Sequence, residues 1–493
     1  MHMSCLFDVL ENAAHVHGDA RAVGLGDQRL TYGELHHAAL GAATWLHEQG
    51  VRRGDRVAIL LAQSLLTVPL LYGCARLGAP FIILHEQVRG PALDHILSDA
   101  EPFLLVGDDP AALTQARAAG ARAVGVDDLV MATHAPVTDG SWAAPLAVDP
   151  VCLIYTSGST SLPKAVVSTH DQLLFAAQAI QSQLCYRPGD VVFVCLPLSF
   201  DYGLYQLFLA ALSGAAVHLA KQHEAGPVLV RSLRESSATV LPAVPSMAQN
   251  LVRMLDRFGG ELPKLRLLTN TGAAMPEDVP ARLRSLLPGL RIQLMYGLTE
   301  CKRATIMPMD EDLRRPGSCG RALPGTEVFT VDDQGRRLPP ETYGEITVRG
   351  RNVMAGYWRS PGLTDERFPR RDGLLPELRT GDYGRVDVDG YLYYSGRRDD
   401  IYKSNGFRVS GIEIETACLR IPGVDMAAVL PPNRARKEAV LFVSGLLDAY
   451  DVLKQLGAQM EQYKVPKRCE VLPNMPINHN GKIDRTALSS LLD

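Results

Sequence analysis

The sequence contains no stretch of about 20 uninterrupted apolar residues, the length a helix needs to cross a bilayer, so no membrane span is expected. The amino terminus carries no basic segment followed by an apolar run and a small-residue cleavage site, so no secretory signal is expected either. An excess of one charge is also missing. Fifty Lys and Arg against 54 Asp and Glu leave a net charge of -4, which argues against bulk attraction to nucleic acid or to an acidic membrane. The nine cysteines are scattered and none forms a C-x-x-C pair, a poor framework for disulfides or zinc. Internal repeats are absent. These absences lead to the expectation of a cytoplasmic protein with reduced, mostly buried thiols, and without nucleic-acid or membrane partners.

What is present is a chain of 493 residues, long enough for two or three domains around a large core. Thr31 and Glu34 make a capping box before apolar residues at Leu35, Ala38, Ala42 and Leu46, and Gly50 ends that helix. An apolar run at Val57–Leu61 reads as a buried strand, followed by a helix through Tyr72 and a strand at Phe81–Leu84. The alternation continues with strands at Val191–Leu196, Val217–Leu219, Thr239–Leu241 and Leu265–Thr269, and a helix at Tyr202–Leu212. Strands separated by helical patterns imply parallel sheets covered by helices. Beyond about residue 315 glycine becomes frequent and short strands (Glu345–Val348, Tyr391–Tyr394) flank turns such as Asp389-Gly390, an antiparallel, barrel-like texture. From Asp400 a compact mixture of strands and helices is sized for a small α+β domain. The stretch Pro136–Pro150 reads as a surface crossing.

The strongest chemical signal is Tyr155-Thr-Ser-Gly-Ser-Thr-Ser-Leu-Pro-Lys164, a small, hydroxyl-rich loop after the apolar strand Val151–Ile154. Backbone N–H groups and hydroxyls in such a loop can surround phosphate oxygens, and the lysine adds positive charge. Its spacing is not that of the G-x-x-x-x-G-K-[ST] loop. Further along come Asn270-Thr-Gly-Ala-Ala-Met-Pro276, Tyr296-Gly-Leu-Thr-Glu300, Tyr343-Gly-Glu345, Arg379-Thr-Gly-Asp382, Gly396-Arg-Arg-Asp-Asp400 and Asn480-Gly-Lys-Ile-Asp484.

In this order, together with Thr31-Tyr-Gly-Glu-Leu35 and Gly50–Ala58, these segments resemble the adenylate-forming superfamily of acyl-CoA synthetases, peptide-synthetase adenylation domains and luciferases. The resemblance covers nearly the whole chain. It implies an α/β fold: a large N-terminal core, residues 1–398, of two parallel-type α/β sheets plus a distorted β-barrel section. A small mobile α+β lid, residues 399–493, would carry the catalytic lysine. ATP and Mg²⁺ are the implied cofactors.

Site residues follow from the matched positions. Thr156, Ser157, Gly158, Ser159, Thr160 and Lys164 would surround the phosphates, with Gly272, Ala273, Ala274 and Gly297 completing the nucleotide pocket. Tyr296 would face adenine, Thr299 the α-phosphate and Glu300 the Mg²⁺, a hard oxygen for a hard cation. Asp382 would accept the ribose hydroxyls and Arg397 would reach the ribose or phosphates. Lys482 would carry the adenylation step, its ammonium bridging carboxylate and α-phosphate. Asp399 resembles the hinge about which the lid turns between two half-reactions, bringing Gly406-Phe-Arg-Val409 to the site in the second.

Phe200, Asp201 and Tyr202 resemble the acid-binding stretch, where an aspartate pairs with the α-ammonium in amino-acid-activating relatives. Asp201 also suits a helix N-cap, and both readings stand. Cys301-Lys-Arg303 is unusual and reads either as a specificity element or as a basic surface turn. Other departures are Ser161 and Ala165, where the family has glycine, and Ile82-Ile-Leu-His-Glu86 in place of a Val-Pro-Leu ending. The sequence ends shortly after Lys482, so the expected acceptor is a separate phosphopantetheinyl carrier protein or coenzyme A. The leading expectation is activation of a small carboxylic acid, an amino acid first, followed by transfer to a carrier thiol. A small-acid or fatty acyl-CoA ligase is the alternative, and a non-catalytic nucleotide-binding relative the remote one.

Overall fold

The computed structural model describes residues 3–134, 142–156, 163–262, 264–371, 375–397, 401–404, 407–433, 436–462, 464–478 and 481–492. Two large sheets dominate it. The first has nine strands, in the spatial order Arg321–Ala322, Thr305–Ile306, Arg291–Tyr296, Leu267–Asn270, Val240–Ala243, Val191–Val194, Ala216–Leu219, Arg21–Leu25 and Gln28–Thr31. Its six central strands run parallel and its edges antiparallel. The second has seven strands, with Phe81–Ile83, Val57–Leu60, Leu104–Gly107 and Ala123–Val124 parallel to Pro150–Thr156, and Lys164–Thr169 returning antiparallel. Central strands such as Val57–Leu60 are apolar throughout because both faces are covered by helices.

The capped helix is Tyr32–Glu48. Thr31 accepts from the Glu34 N–H at 3.2 Å while Glu34 accepts from the Thr31 N–H at 2.8 Å, which satisfies two donors that a helix start leaves open. Its buried face packs on the helix Thr67–Leu77, and both belong to one continuous core with the helix Asp201–Ser213. A four-stranded antiparallel sheet (Thr326–Val331, Gly344–Gly350, Glu377–Val386, Leu392–Arg397) follows, with the Gly390 turn between its last two strands.

Beyond it, Val424–Leu430, Val440–Gly445 and Arg468–Val471 form a separate three-stranded sheet with its own apolar clusters and the helices Gly411–Leu419, Ala449–Gln459 and Arg485–Ser490. Pro150 already opens a strand, and Asp149 before it is paired with Arg53 at 2.7 Å, so the surface crossing expected over 136–150 ends in a pinned segment. All nine cysteines are free thiols, with Cys185 exposed. Among the described residues no helix is long and apolar enough to cross a membrane.

Candidate active site

Several of the expected site residues, among them Phe200, Gly272, Asp382 and Arg397, lie around the loop that carries Lys482. The strand Arg291–Tyr296 delivers Tyr296, whose hydroxyl donates to Asp382 Oδ2 at 2.7 Å. Tyr394 packs beside the Tyr296 ring, centroids 5.6 Å apart. Asp382 is 4% exposed, and burial pushes its carboxyl up to about 6, while Arg397 and the Tyr296 hydroxyl pull the other way. Arg397 Nε stands 3.5 Å from Oδ1, which makes no hydrogen bond among the described residues. One carboxylate oxygen is thus engaged by Tyr296, and the other stands beside the Arg397 guanidinium without a hydrogen bond among the described residues.

After Tyr296 the chain turns sharply back on itself. The Cys301 N–H donates to the Leu298 carbonyl at 3.0 Å and the Ala304 N–H to the Tyr296 carbonyl at 2.9 Å. Gly297 makes this possible: a Cβ there would stand 2.1 Å from the Lys302 carbonyl oxygen, a distance no side chain tolerates. Thr299 and Glu300 lie on the half-buried crest of the turn. Glu300 Oε1 accepts from the Tyr357 hydroxyl at 2.7 Å, an orienting contact that nothing in the Gly356-Tyr357 segment announced.

Thr156 and Lys164 face each other as a strand pair at the base of the phosphate loop, Thr156 Oγ1 donating to the Lys164 carbonyl at 3.4 Å. Ser157, Gly158, Ser159 and Thr160 lie outside the described residues, as do Asp399 and Gly406. Ala273 and Ala274 are exposed beside Gly272.

Lys482 reaches this cleft from a tight loop. The Lys482 N–H donates to Asn478 Oδ1 at 3.1 Å and the Asn478 N–H to the Lys482 carbonyl at 2.7 Å. Ser246 anchors the loop from the nine-stranded side by donating to the Gly481 carbonyl at 3.0 Å. Nζ sits 5.6 Å over the Phe200 ring, and a Cβ on Gly272 would lie 3.3 Å from Lys482 Cε, so the bare backbone there leaves room for the lysine stem. Burial lowers the pKa of Lys482; Asp201 and Asp382 favour its charged form, Arg397 and Arg303 oppose it. Groups from four chain segments therefore share one electrostatic cleft.

Asp201 is the first residue of the helix Asp201–Ser213, and the N-cap position is Phe200, which makes no side-chain cap. The N-cap reading of Asp201 does not match this geometry. Its carboxylate is 3% exposed and Oδ2 makes no hydrogen bond among the described residues; Arg303 Nη1 is 3.5 Å away. Tyr202 points the other way: its hydroxyl bonds Thr269 Oγ1 and the Thr269 carbonyl, both at 2.7 Å, so it walls the pocket from behind. Lys302 and Arg303 are 0% and 4% exposed, which excludes a basic surface turn. Their burial had no signal in the sequence, because charged residues are exposed by default.

Known proteins resemble this chain in sequence and fold. Residues 10–358 match the family model of AMP-binding enzymes. A probable non-canonical nonribosomal peptide synthetase, CymA of Salinispora arenicola, is 32% identical over 97% of this chain, which spans only 6% of that much longer protein. Feruloyl-CoA synthase of an Amycolatopsis species is 32% identical over 94% of both chains. Among solved structures, VinN in complex with L-aspartate matches with 37% identity and a TM-score of 0.73, over 80% of this chain and 98% of its own. ATP-bound MatB from Rhodopseudomonas palustris matches with 27% identity and a TM-score of 0.89, over 99% of both chains. The chain belongs to the AMP-binding enzyme family, the adenylate-forming ligases that use ATP to activate an acid.

Proposed function

We propose that the protein converts a small amino acid into its aminoacyl-AMP and passes the acyl group to the phosphopantetheine thiol of a separate carrier protein. The observation that carries the amino-acid reading is Asp201, a buried carboxylate that caps no helix and whose Oδ2, 3.5 Å from Arg303, makes no hydrogen bond among the described residues. Such a group needs a cationic or hydrogen-bonding partner, and a substrate ammonium is one. The L-aspartate complex of VinN supports the same reading. A CoA ligase acting on an acid without an amino group is the second reading, favoured by the end-to-end match to feruloyl-CoA synthase.

In the first half-reaction a substrate carboxylate oxygen attacks the α-phosphorus of ATP, an O–P bond forms and pyrophosphate leaves. Lys482, above Phe200 and against Gly272, would hold the carboxylate and the α-phosphate together as negative charge gathers between them. Thr299 would donate to the α-phosphate. Asp382 would take a ribose hydroxyl on Oδ1, with Tyr296 fixing its plane and Arg397 beside it. Thr156 and Lys164 would frame the phosphate loop with Ser157, Gly158, Ser159 and Thr160. Glu300, steadied through Oε1 by Tyr357, fits a Mg²⁺ ligand because Oε2 remains for a hard cation. When bound, Mg²⁺ would neutralise phosphate charge. In the second half-reaction the thiol sulfur attacks the acyl carbon, a thioester forms and AMP leaves. Residues 399–493 would act as the lid that alternates between the two steps, with Asp399 as its hinge.

Acid-dependent ATP–pyrophosphate exchange tests this reading. An amino acid should give exchange, and Lys482→Ala should reduce it by at least about 100-fold, the loss typical of removing one electrostatic stabiliser, without lowering the melting temperature. Undiminished exchange in Lys482→Ala would remove the lysine from the step, and exchange with only fatty or aryl acids would move the assignment to the CoA-ligase reading.

A further inference from the structure

We propose that the acid pocket takes an amino dicarboxylic acid, its ammonium on Asp201 and its second carboxylate on Lys302 and Arg303. This rests on the acid-activation reading above and names its substrate class.

The case begins with charge. Lys302 has no solvent exposure, and Nζ makes no hydrogen bond among the described residues; what it meets is the Tyr205 ring, at 5.7 Å. Arg303 beside it is 4% exposed, its guanidinium 4.7 Å over the Tyr202 ring. Arg303 Nη1 donates to the Lys302 carbonyl at 2.7 Å and stays 3.5 Å from Asp201 Oδ2, too far for a good hydrogen bond. Two buried cations therefore stand in one cluster with a single buried carboxylate, Arg303 beside Asp201 and Lys302 over Tyr205. An ammonium has three donors and an aromatic face accepts none of them strongly, so the rings cushion Lys302 without satisfying it. Desolvated charge without a counter-ion is unfavourable, and a second anion would balance the cluster.

The unsatisfied atoms lie together. Asp201 and Tyr205 are four residues apart, on one face of the helix Asp201–Ser213, and among the described residues neither Asp201 Oδ2 nor the Tyr205 hydroxyl makes a hydrogen bond. With Lys302 Nζ they form a buried polar cluster of mixed sign. An apolar acid tail would leave all three unpaired, whereas an ammonium and a carboxylate on one small molecule answer them in turn. The reacting carboxyl is then left for Lys482, whose Nζ stands over Phe200 immediately before Asp201.

The cluster exists because of the backbone turn. Lys302 adopts a left-handed conformation, φ 61°, and Asn352 Nδ2 clamps the Cys301 and Arg303 carbonyls on either side at 3.3 and 3.0 Å. A non-glycine residue is rarely held so without reason. The turn aims consecutive long cations inwards.

The test is ATP–pyrophosphate exchange with both enantiomers of aspartate and glutamate, 3-aminoglutarate, the amides asparagine and glutamine, alanine, and succinate. One amino dicarboxylic acid should exceed its amide by about 100-fold or more in kcat/KM, as expected when a site built for a polar group meets an analogue lacking it. Lys302→Met and Arg303→Gln should each erase most of that ratio, chiefly through KM. An amide or a neutral amino acid performing as well as the diacids would overturn the proposal and leave amino-acid activation standing. Succinate alone performing would remove the ammonium half. If no acid supports exchange, the activation reading fails, and thermal melting decides the subsite separately. Millimolar aspartate or glutamate raising the melting temperature of the wild type but not of Lys302→Met supports it, and no shift in either overturns it.

Discussion

Asp382 shows how burial and partners compete at a single side chain. Its carboxyl titrates near 6 because desolvation outweighs Arg397 and Tyr296. A raised acid pKa means that the folded protein holds a proton which the unfolded chain has released. Between roughly 4 and 6 the native state therefore binds more protons, and this group's contribution to stability is lost as pH rises through that window. Ligand binding has the opposite sign, because ribose hydroxyls donate to the charged form. AMP affinity should be full above pH 7 and fall by up to about tenfold per pH unit below 6. Calorimetric titration with AMP from pH 5 to 8 checks this. In Asp382→Asn the affinity should be weak and flat with pH, and a wild-type curve without a break near 6 would contradict the ribose role.

At the scale of elements, the turn after Tyr296 does more than link two strands. Its reversal requires Gly297, and through it Thr299, Glu300, Lys302 and Arg303 all take their places. Gly297→Ala would force Cβ into the Lys302 carbonyl and the Arg303 backbone, 2.1 and 2.8 Å away. Overpacking of this kind costs about 1–3 kcal/mol, and the displaced turn should cut exchange far more than that loss of stability explains. The contrasting change is Thr31→Ala, which removes the capping box of a helix remote from the cleft and should cost about 1 kcal/mol with exchange kept. Urea midpoints and exchange rates on the two variants separate the effects. Equal losses of activity in both would show that the turn has no special part.

Across the whole molecule, the contacts between the C-terminal segment and the large sheets among the described residues include one hydrogen bond to the Lys482 loop and one surface ion pair. Ser246 holds the Gly481 carbonyl at 3.0 Å, and Arg420 pairs with Glu277 at the surface. Exposed ion pairs contribute about 0–1 kcal/mol, so these contacts suit docking that must be undone. If residues 399–493 move between half-reactions, fixing them as found should separate the two. Cysteines at positions 277 and 420, joined by a short bis-maleimide in a Cys185→Ser background, should leave acid-dependent exchange near normal and abolish transfer to the thiol. Thioester formation at an undiminished rate in the cross-linked protein would contradict the lid.

Much of this was legible in the sequence because it is local. The Thr31–Glu34 capping box, the apolar strands of the parallel sheets and the Gly390 turn depend on neighbours a few residues apart, and each lies where the pattern put it. What the chain could not reveal depends on residues far apart along it. Whether Asp201 caps a helix or faces a cleft is decided by Phe200 taking the cap position and by Arg303 arriving from another strand end. Tyr202, expected at the substrate, is claimed by Thr269 of a neighbouring strand, and Tyr296 claims an oxygen of Asp382. The inward turn of Lys302 and Arg303 contradicts the default for charged residues, which is to stay in water. The sequence by itself determined the sheets, through short-range apolar pattern, and the family and reaction class, through the resemblance that its ordered motifs carry. The tertiary structure alone decided which charges are buried together, because burial and pairing arise only when distant segments meet.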